Sequence, residues 1–452
     1  LPGSSIRNIA VVGAGWAGCA AAVELVGAGH RVTLLESSRT LGGRARRVEM
    51  DGRVLDNGQH IMLGAYVETL RLLKLAGVDT ARALLNLPLQ MRYPSGSGGM
   101  DFLAPRWPAP LHLGWALLRA TGLGREDKMS LARFSTTARW MDWRLHTDCS
   151  VAELLERFEQ TPRLTRLMWR PLCLAALNTP PERASAQVFL NVLRDSLGAR
   201  RAASDMLLPR QDLSALFPVA AASFVERHGG AVLTGCQATA LGRTETGHWQ
   251  ITFREGAAQP ENSFDAVILA TPATQAAHLL AAAPEPAASI AAQLASYEYE
   301  PITTCYLQYA PGTRLPLPFL ALIDTPEAGQ WGQFVFDRGQ LDAAQDGLLA
   351  VVISASGAAA ELGQQALTDA VARQLAGVFS DAGLAAPLWS RVITEKRATF
   401  ACTPALARPQ NATGVAGLVI AGDYTASDYP ATIESAVRSG VNAALLAADS
   451  KA

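Results

Sequence analysis

Ile9-Ala10-Val11-Val12-Gly13-Ala14-Gly15-Trp16-Ala17-Gly18, then an Ala-rich run to Gly29 and Arg31-Val32-Thr33-Leu34-Leu35-Glu36, decides the fold. The apolar run Ile9 to Val12 predicts a strand, the glycines a tight turn and the Ala-rich run a helix. In such a unit Gly13 permits the turn, Gly15 lets the backbone approach a pyrophosphate, and Gly18 lets the helix pack closely on the strand. The helix N-terminus then offers free N–H groups to phosphate. Glu36, ending the second strand, stands where a carboxylate accepts hydrogen bonds from a ribose. Glycine is 38 of 452 residues, so this spacing alone arises by chance roughly 0.3 times in such a chain. Its placement between strand and helix, with an acidic residue ending the next strand, carries the dinucleotide-binding reading.

The length of 452 residues allows two or three domains and an extensive core. Hydrophobic residues make up 49% and charged residues only 17%, where about 25% charged is usual, which excludes a disordered chain. Thirty-nine Lys plus Arg against 40 Asp plus Glu gives a net charge of −1. Without a basic excess, a general nucleic-acid binder is excluded. The scarcity of charge points to an apolar partner. Cys19, Cys149, Cys173, Cys236, Cys305 and Cys402 form no C-x-x-C pair, which supports neither a disulfide framework nor a metal site and fits a reducing, cytoplasmic compartment. No apolar run reaches the roughly 18 residues of a spanning helix. Residues 1–5 lack the basic start and apolar stretch of a signal peptide and are expected to be an unstructured terminus.

Leu41-Gly42-Gly43-Arg44 extends the opening pattern, and the whole resembles the flavoprotein family of amine oxidases and carotenoid desaturases. The resemblance implies FAD as cofactor, with Gly42, Gly43 and Arg44 beside its pyrophosphate. Arg is the suited cation because its planar fork makes two hydrogen bonds to phosphate. The bland alternative is a surface turn followed by a solvated basic cluster with Arg46 and Arg47. Near the other end, Leu418 to Ala421 predicts a strand running into Gly422-Asp423-Tyr424, and Tyr429-Pro430-Ala431-Thr432-Ile433-Glu434 opens a helix through Val437 to Ala447. By the resemblance, Gly422 and Asp423 lie near the ribityl chain. Thr432 and Ile433 then head a helix whose N-terminus faces the flavin N1–C2 oxygen, where charge accumulates on reduction. Ser435 stands where the family usually has Gly. Gly229 to Thr234 resembles the strand bringing backbone to the adenine, with Ala238 as edge contact, and Asp265 to Thr271 the strand returning to the dinucleotide domain.

The expected fold is therefore α/β: a Rossmann-type FAD-binding domain, discontinuous over 1–85, 210–275 and 408–452, with an inserted α+β substrate domain over 86–209 and 276–407. The first insert reads as helical. Ser150-x-x-Glu153 is a capping box, and Leu131, Phe134, Ala138, Met141 and Leu145 share one helix face. In the second insert, Pro301 to Tyr309 and Leu348 to Ser354 read as strands.

Asp56-Asn57-Gly58-Gln59-His60, Trp169-Arg170-Pro171-Leu172 with Leu177-Asn178-Thr179-Pro180, and Leu207-Leu208-Pro209 with Leu213 to Pro218 narrow the resemblance to the hydroxysqualene dehydroxylases, a squalene-associated branch. It covers nearly the whole chain. It implies reduction of hydroxysqualene, a long apolar allylic alcohol, to squalene in hopanoid synthesis. That reaction needs an acid for the leaving water, a hydride from reduced FAD, and dry walls. Gly58 makes the turn expected at the flavin, so His60 is the first candidate acid, ahead of Asp428 and Tyr429; the alternative for His60 is that it only hydrogen-bonds backbone or packs beside the flavin ring. Carotenoid-type desaturation is the competing reaction. Amine oxidation is disfavoured because Pro301 to Tyr309 holds Thr303, Thr304 and Cys305 but no Lys. A protein that binds an isoprenoid without chemistry is the non-enzyme alternative. The hydrocarbon pocket is expected at Trp107 to Leu118 and Trp140 to Leu177. Leu111, Trp115 and Leu118 share a helical face suited either to a membrane interface, which would put the protein on the inner face of the cytoplasmic membrane, or to the protein's own core. No second G-x-G-x-x-G unit identifies the electron donor.

Overall fold

The computed structural model describes residues 6–198, 200–254 and 263–449; residues 1–5 lie outside that range. Five parallel strands form the first sheet, in the order Ala231–Thr234, Arg31–Glu36, Asn8–Val12, Ala266–Leu269, Leu418–Ile420. They come from the three segments assigned to the dinucleotide domain. The central strands read as nearly continuous apolar runs because both faces are covered, as parallel sheets require. Ile9, Val11, Leu34 and Ile268 pack with the helices Trp16–Gly27, Pro218–Arg227 and Ile433–Ala448, whereas Ala10, Leu35, Val267 and Leu269 join the cluster on the other face.

The layers meet through glycine. A Cβ on Gly18 would lie 1.8 Å from the Gly13 carbonyl oxygen, and one on Gly440 would lie 2.1 Å from that of Ala17. The first and last helices are thus pressed together backbone to backbone.

A second, antiparallel sheet has the order Phe319–Ala321, Phe334–Asp337, Leu348–Ser354, Tyr299–Gln308, Trp389–Phe400. Its period of two divides its side chains cleanly. Cys305, Leu307, Leu349 and Val351 pack under the helix Gln364–Phe379, while Tyr306, Phe336 and Val352 face the central cluster. The first insert is helical, with Leu111–Arg119, Arg125–Trp140, Val151–Arg157, Arg170–Leu177 and Ala186–Leu193, and two π-helical turns at Thr165–Trp169 and Arg194–Gly198. The Ser150–Glu153 capping box is present. Asn178, left-handed at φ 48°, caps its helix and joins the insert to the sheet, donating to Glu300 O and Thr399 Oγ1 and accepting from the Ala355 N–H.

Three boundaries differ from expectation. The helix carrying Leu131, Phe134 and Ala138 ends at Trp140, because Asp142 and Trp143 take φ of 52° and 57°; Met141 and Leu145 lie beyond it. The last helix begins at Ile433 with Thr432 as its N-cap, so residues 429–431 precede it as a loop. The expected cuts at 85 and 210 fall at one small sheet, in which Met206–Pro209 pairs with Met62–Leu63 and Leu84–Leu87, and the helix Ala273–Leu280 runs across the cut at 275.

Gly440→Ala forces a methyl group against backbone that cannot move aside. It is expected to destabilise the protein by about 1–3 kcal/mol, read as a lowered midpoint in thermal unfolding. Leu445→Ala, at a position of the same helix that is exposed, should leave the midpoint nearly unchanged.

Candidate active site

One cavity of about 1430 Å³ runs from the Gly13–Gly15 turn to Trp107, Trp115 and Leu118. Ordinary ligand pockets measure about 300–1,000 Å³, so this one has room for a cofactor and a second molecule.

Its first end is the dinucleotide cradle. Gly13, Gly15, Glu36, Gly42, Gly43, Arg44, Gly58, Ala238, Gly422, Asp423, Thr432 and Ile433 all line it, and Gly18 lies beneath, packed on the Gly13 carbonyl. Glu36 is buried; its carboxylate accepts from the Ala14 N–H at 2.8 Å and the Ser38 N–H at 2.8 Å, which fixes the turn and aims the group into the cavity. No side chain caps the N-terminus of the helix Trp16–Gly27. Gly15 has its nearest neighbour, Gly43 Cα, 3.7 Å from where a Cβ would stand. Thr271 Oγ1, two residues beyond the strand Ala266–Leu269 and on the cavity lining, is buried without a hydrogen-bond partner. Uncapped N–H groups, an open glycine cradle and an orphaned hydroxyl fit the FAD that the resemblance implies. Arg44 spans this end, donating to Asp423 Oδ1 at 2.6 Å and to the Ala398 carbonyl at 2.6 Å. Ser435, in place of the usual glycine, folds its hydroxyl back onto the Pro430 carbonyl at 2.7 Å, while its N–H donates to the capping Thr432 Oγ1 at 3.1 Å.

The far end is hydrocarbon. Phe102, Leu131, Phe134, Trp143, Trp169, Leu172 and Phe189 line it from the helical insert, and Phe319, Phe334 and Phe336 from the second sheet. From the first expected stretch Trp107, Leu111, Trp115 and Leu118 lie on these walls, and from the second Trp143, Met168, Trp169, Leu172 and Ala176, while residues 144–167 do not.

Between the ends stand the proton-bearing groups. The His60 ring lines the cavity with Nδ1 2.9 Å from the Gly58 carbonyl. A carbonyl only accepts, so Nδ1 carries the proton and Nε2 presents a lone pair. Burial lowers the ring's pKa, outweighing the Gly58 bond, and Arg44 lowers it further. His60 is therefore neutral and built to accept. Asp428 is not brought to the site: it is exposed, lies off the cavity, and contributes its backbone carbonyl to Asn191 Nδ2. Tyr429 does line the cavity. Its hydroxyl donates to Asp195 Oδ2, whose carboxylate Arg194 grips with Nε at 2.7 Å and Nη2 at 3.0 Å. Burial, then the bond to Asp195, raises the Tyr429 pKa. Against its own burial, Asp195 is held below the usual carboxylate range by Arg194 and Tyr429.

Sequence reasoning missed Asp195. It stands on a π-helical turn, a feature common at functional sites, and no local motif marks it. Thr271 had a signal, since it follows the returning strand of the dinucleotide sheet.

The sequence pattern of the flavin containing amine oxidoreductase family matches residues 16–446. Hydroxysqualene dehydroxylases of Sinorhizobium fredii and Rhodopseudomonas palustris are 28% and 30% identical to this chain over 98% and 97% of it, and over 98% and 97% of their own lengths. A zeta-carotene desaturase of Zea mays is 36% identical, over 27% of this chain and 21% of its own. Among solved structures, an oxidoreductase from Methanosarcina mazei has a TM-score of 0.71 at 15% identity, covering 96% of this chain and 99% of that one; this is a likeness of fold.

Gly15→Val should fold, since the protein itself leaves room there, yet fill the cradle. Flavin retained through gel filtration is expected to fall roughly tenfold or more, with the circular dichroism unchanged. Undiminished flavin content would remove Gly15 from the cofactor site.

Proposed function

The chain belongs to the flavin containing amine oxidoreductase family and to its hydroxysqualene dehydroxylase branch, and from that premise we propose that this FAD-dependent oxidoreductase converts hydroxysqualene to squalene. The observation that carries the reading is the single cavity, dinucleotide cradle at one end and aromatic and aliphatic walls at the other, with its proton-bearing groups between them. The reading makes the protein a step in squalene and hopanoid formation. It also puts it in the cytoplasm at the inner membrane face, where such a hydrocarbon dissolves.

When bound and reduced, FAD supplies the hydride. The chain's own residues supply the remainder. The allylic C–O bond breaks with its electron pair going to oxygen, a proton makes that oxygen water, and the new C–H bond takes the hydride's pair. Apolar walls exclude the water that would otherwise capture the cation. Neutral His60, through Nε2, accepts a hydrogen bond from the substrate hydroxyl and orients it. We assign the proton to Tyr429: its raised pKa keeps the phenol protonated, its O–H turns from Asp195 onto the leaving oxygen as the C–O bond breaks, and the phenolate left behind faces Arg438, 5.2 Å from the ring. Asp428, exposed and off the cavity, takes no part.

Tyr429→Phe in reduced enzyme should lower the single-turnover rate by about 10²–10⁴ while substrate affinity changes only a few-fold; a full rate would remove Tyr429 as the acid. The pH profile has a definite sign. Because His60 is depressed, activity should persist below pH ~6.5, the ordinary imidazole value, and because Tyr429 is raised, it should persist up to and beyond pH ~10.

Desaturation of the zeta-carotene type is the second reading, since the Asp195 carboxylate on the wall could act as a base. Anaerobic incubation decides between them. Pre-reduced protein should turn hydroxysqualene into squalene, whereas a requirement for oxidised flavin and a gain of double bonds would favour the desaturase.

A further inference from the structure

The cavity meets the surface between two helices. Trp107, Leu111, Trp115 and Leu118 line it and are also 45%, 64%, 38% and 66% exposed, so its apolar wall continues outward as a rim. They recur at four, four and three residues, one face of the Leu111–Arg119 helix and its lead-in, while His112 and Ala116 are buried on the opposite face. The Arg125–Trp140 helix forms the other side of the opening through Ala132, Thr136 and Arg139. On the same face as Thr136, seven residues before it and four after, stand Met129 and Trp140, 58% and 88% exposed. Neither lines the cavity; together with Trp107, Leu111, Trp115 and Leu118 they make six large exposed apolar side chains on two adjacent helices and the lead-in to the first, a concentration that marks an interaction surface. Lys128 Nζ donates to the Leu118 carbonyl at 2.8 Å and holds the two helices together.

Charge says what covers it. Residues 106–144 carry seven Lys and Arg against three Asp and Glu, in a chain of net charge −1. One of those three, Asp127, is buried and accepts from the Gly124 N–H at its helix start. Arg119 lies over the Trp115 ring at 5.2 Å, which puts a cation beside the exposed aromatic rim. Tryptophans, exposed aliphatics and a basic border are the chemistry that settles at the headgroup level of a bilayer, and the basic residues favour anionic headgroups.

We infer that the two helices Leu111–Arg119 and Arg125–Trp140 form a docking surface for an anionic phospholipid bilayer, and that the cavity opens directly into it, so that a hydrocarbon substrate enters without crossing water. The inference rests on the isoprenoid reading for the identity of the substrate, but the docking itself does not depend on it.

The test is flotation of the full-length, flavin-loaded protein with vesicles of phosphatidylcholine alone or mixed with an equal part of phosphatidylglycerol. Wild type should bind the anionic vesicles roughly tenfold more tightly than the neutral ones. Met129→Glu/Trp140→Glu and Arg125→Glu/Arg133→Glu, which touch neither cavity nor cofactor, should each lose about tenfold in anionic binding while keeping full flavin content. With substrate dispersed in detergent the two double variants should match wild type; with substrate presented in anionic vesicles both should fall roughly tenfold in kcat/KM. Wild type that fails to float, variants that float as well as wild type, or a concentration-dependent self-association that the same substitutions abolish would overturn the inference. Absence of turnover in detergent with intact flotation would count against the substrate reading alone.

Discussion

Everything in this molecule is organised around a backbone contact that side chains would forbid. The helix Trp16–Gly27 is closed in on both sides: Gly18 sits on the Gly13 carbonyl, and Gly440 of the last helix sits on the carbonyl of Ala17. At φ 105°, Gly13 turns the chain where a Cβ would strike Ala270 O at 2.6 Å, a conformation and a space open only to glycine. These approaches bring residues 9–36, 266–271 and 433–448 into one layer pair. The parallel sheet and its covering helices therefore draw on both ends of the chain and on a middle stretch from Pro218–Arg227 to Ala266–Leu269, and the rest of the chain packs around them.

The rest of the chain is then fastened to them at the cavity. Arg44 and Asp423, 379 positions apart, close one side of the cofactor end. Across the cavity, the loop before the last helix is tied to the helical insert twice, by Asn191 to the Asp428 carbonyl and by Tyr429 to Asp195. Arg408 holds the same loop from behind, donating to the Tyr429 carbonyl at 2.9 Å. The groups that carry protons in the proposed reaction are thus also the ones that join this loop to the insert, and a shift of one against the other would separate Tyr429 from Asp195.

What the sequence revealed follows from what is local. A strand, a glycine turn and the acid at its end are set by neighbouring residues, so Gly13 to Glu36 and the strand before Gly422 could be placed from their own pattern. Leu348–Ser354 is likewise a strand at its expected bounds, because it is a continuous β-branched and apolar run. Helix ends were harder. Nothing in Trp140-Met141-Asp142-Trp143 announces two successive left-handed residues, and Thr432 rather than Tyr429 starts the last helix because its side chain accepts from the Ser435 N–H. Asp195 was out of reach. Its role arises from a π-turn and from a tyrosine 234 positions away, and neither leaves a periodic trace.

The scarcity of charge takes on a sharper meaning once the charges are located. Around the cavity several of them stand in pairs: Arg44 with Asp423, Arg194 with Asp195, Arg438 with Glu434. Each pairing lets an ionised group stand beside a low-dielectric space without the full cost of desolvation. His60 follows the same rule by giving up its charge. In the proposed reaction, a hydrocarbon cation formed in such an interior would be stabilised by the groups closest to it, the aromatic faces on the wall. Charge pairing matters most for that reaction at the aromatic end, where an unpaired cation would oppose an allylic cation; Arg139, which lines the cavity without an ion pair among the described residues, is exposed at its opening.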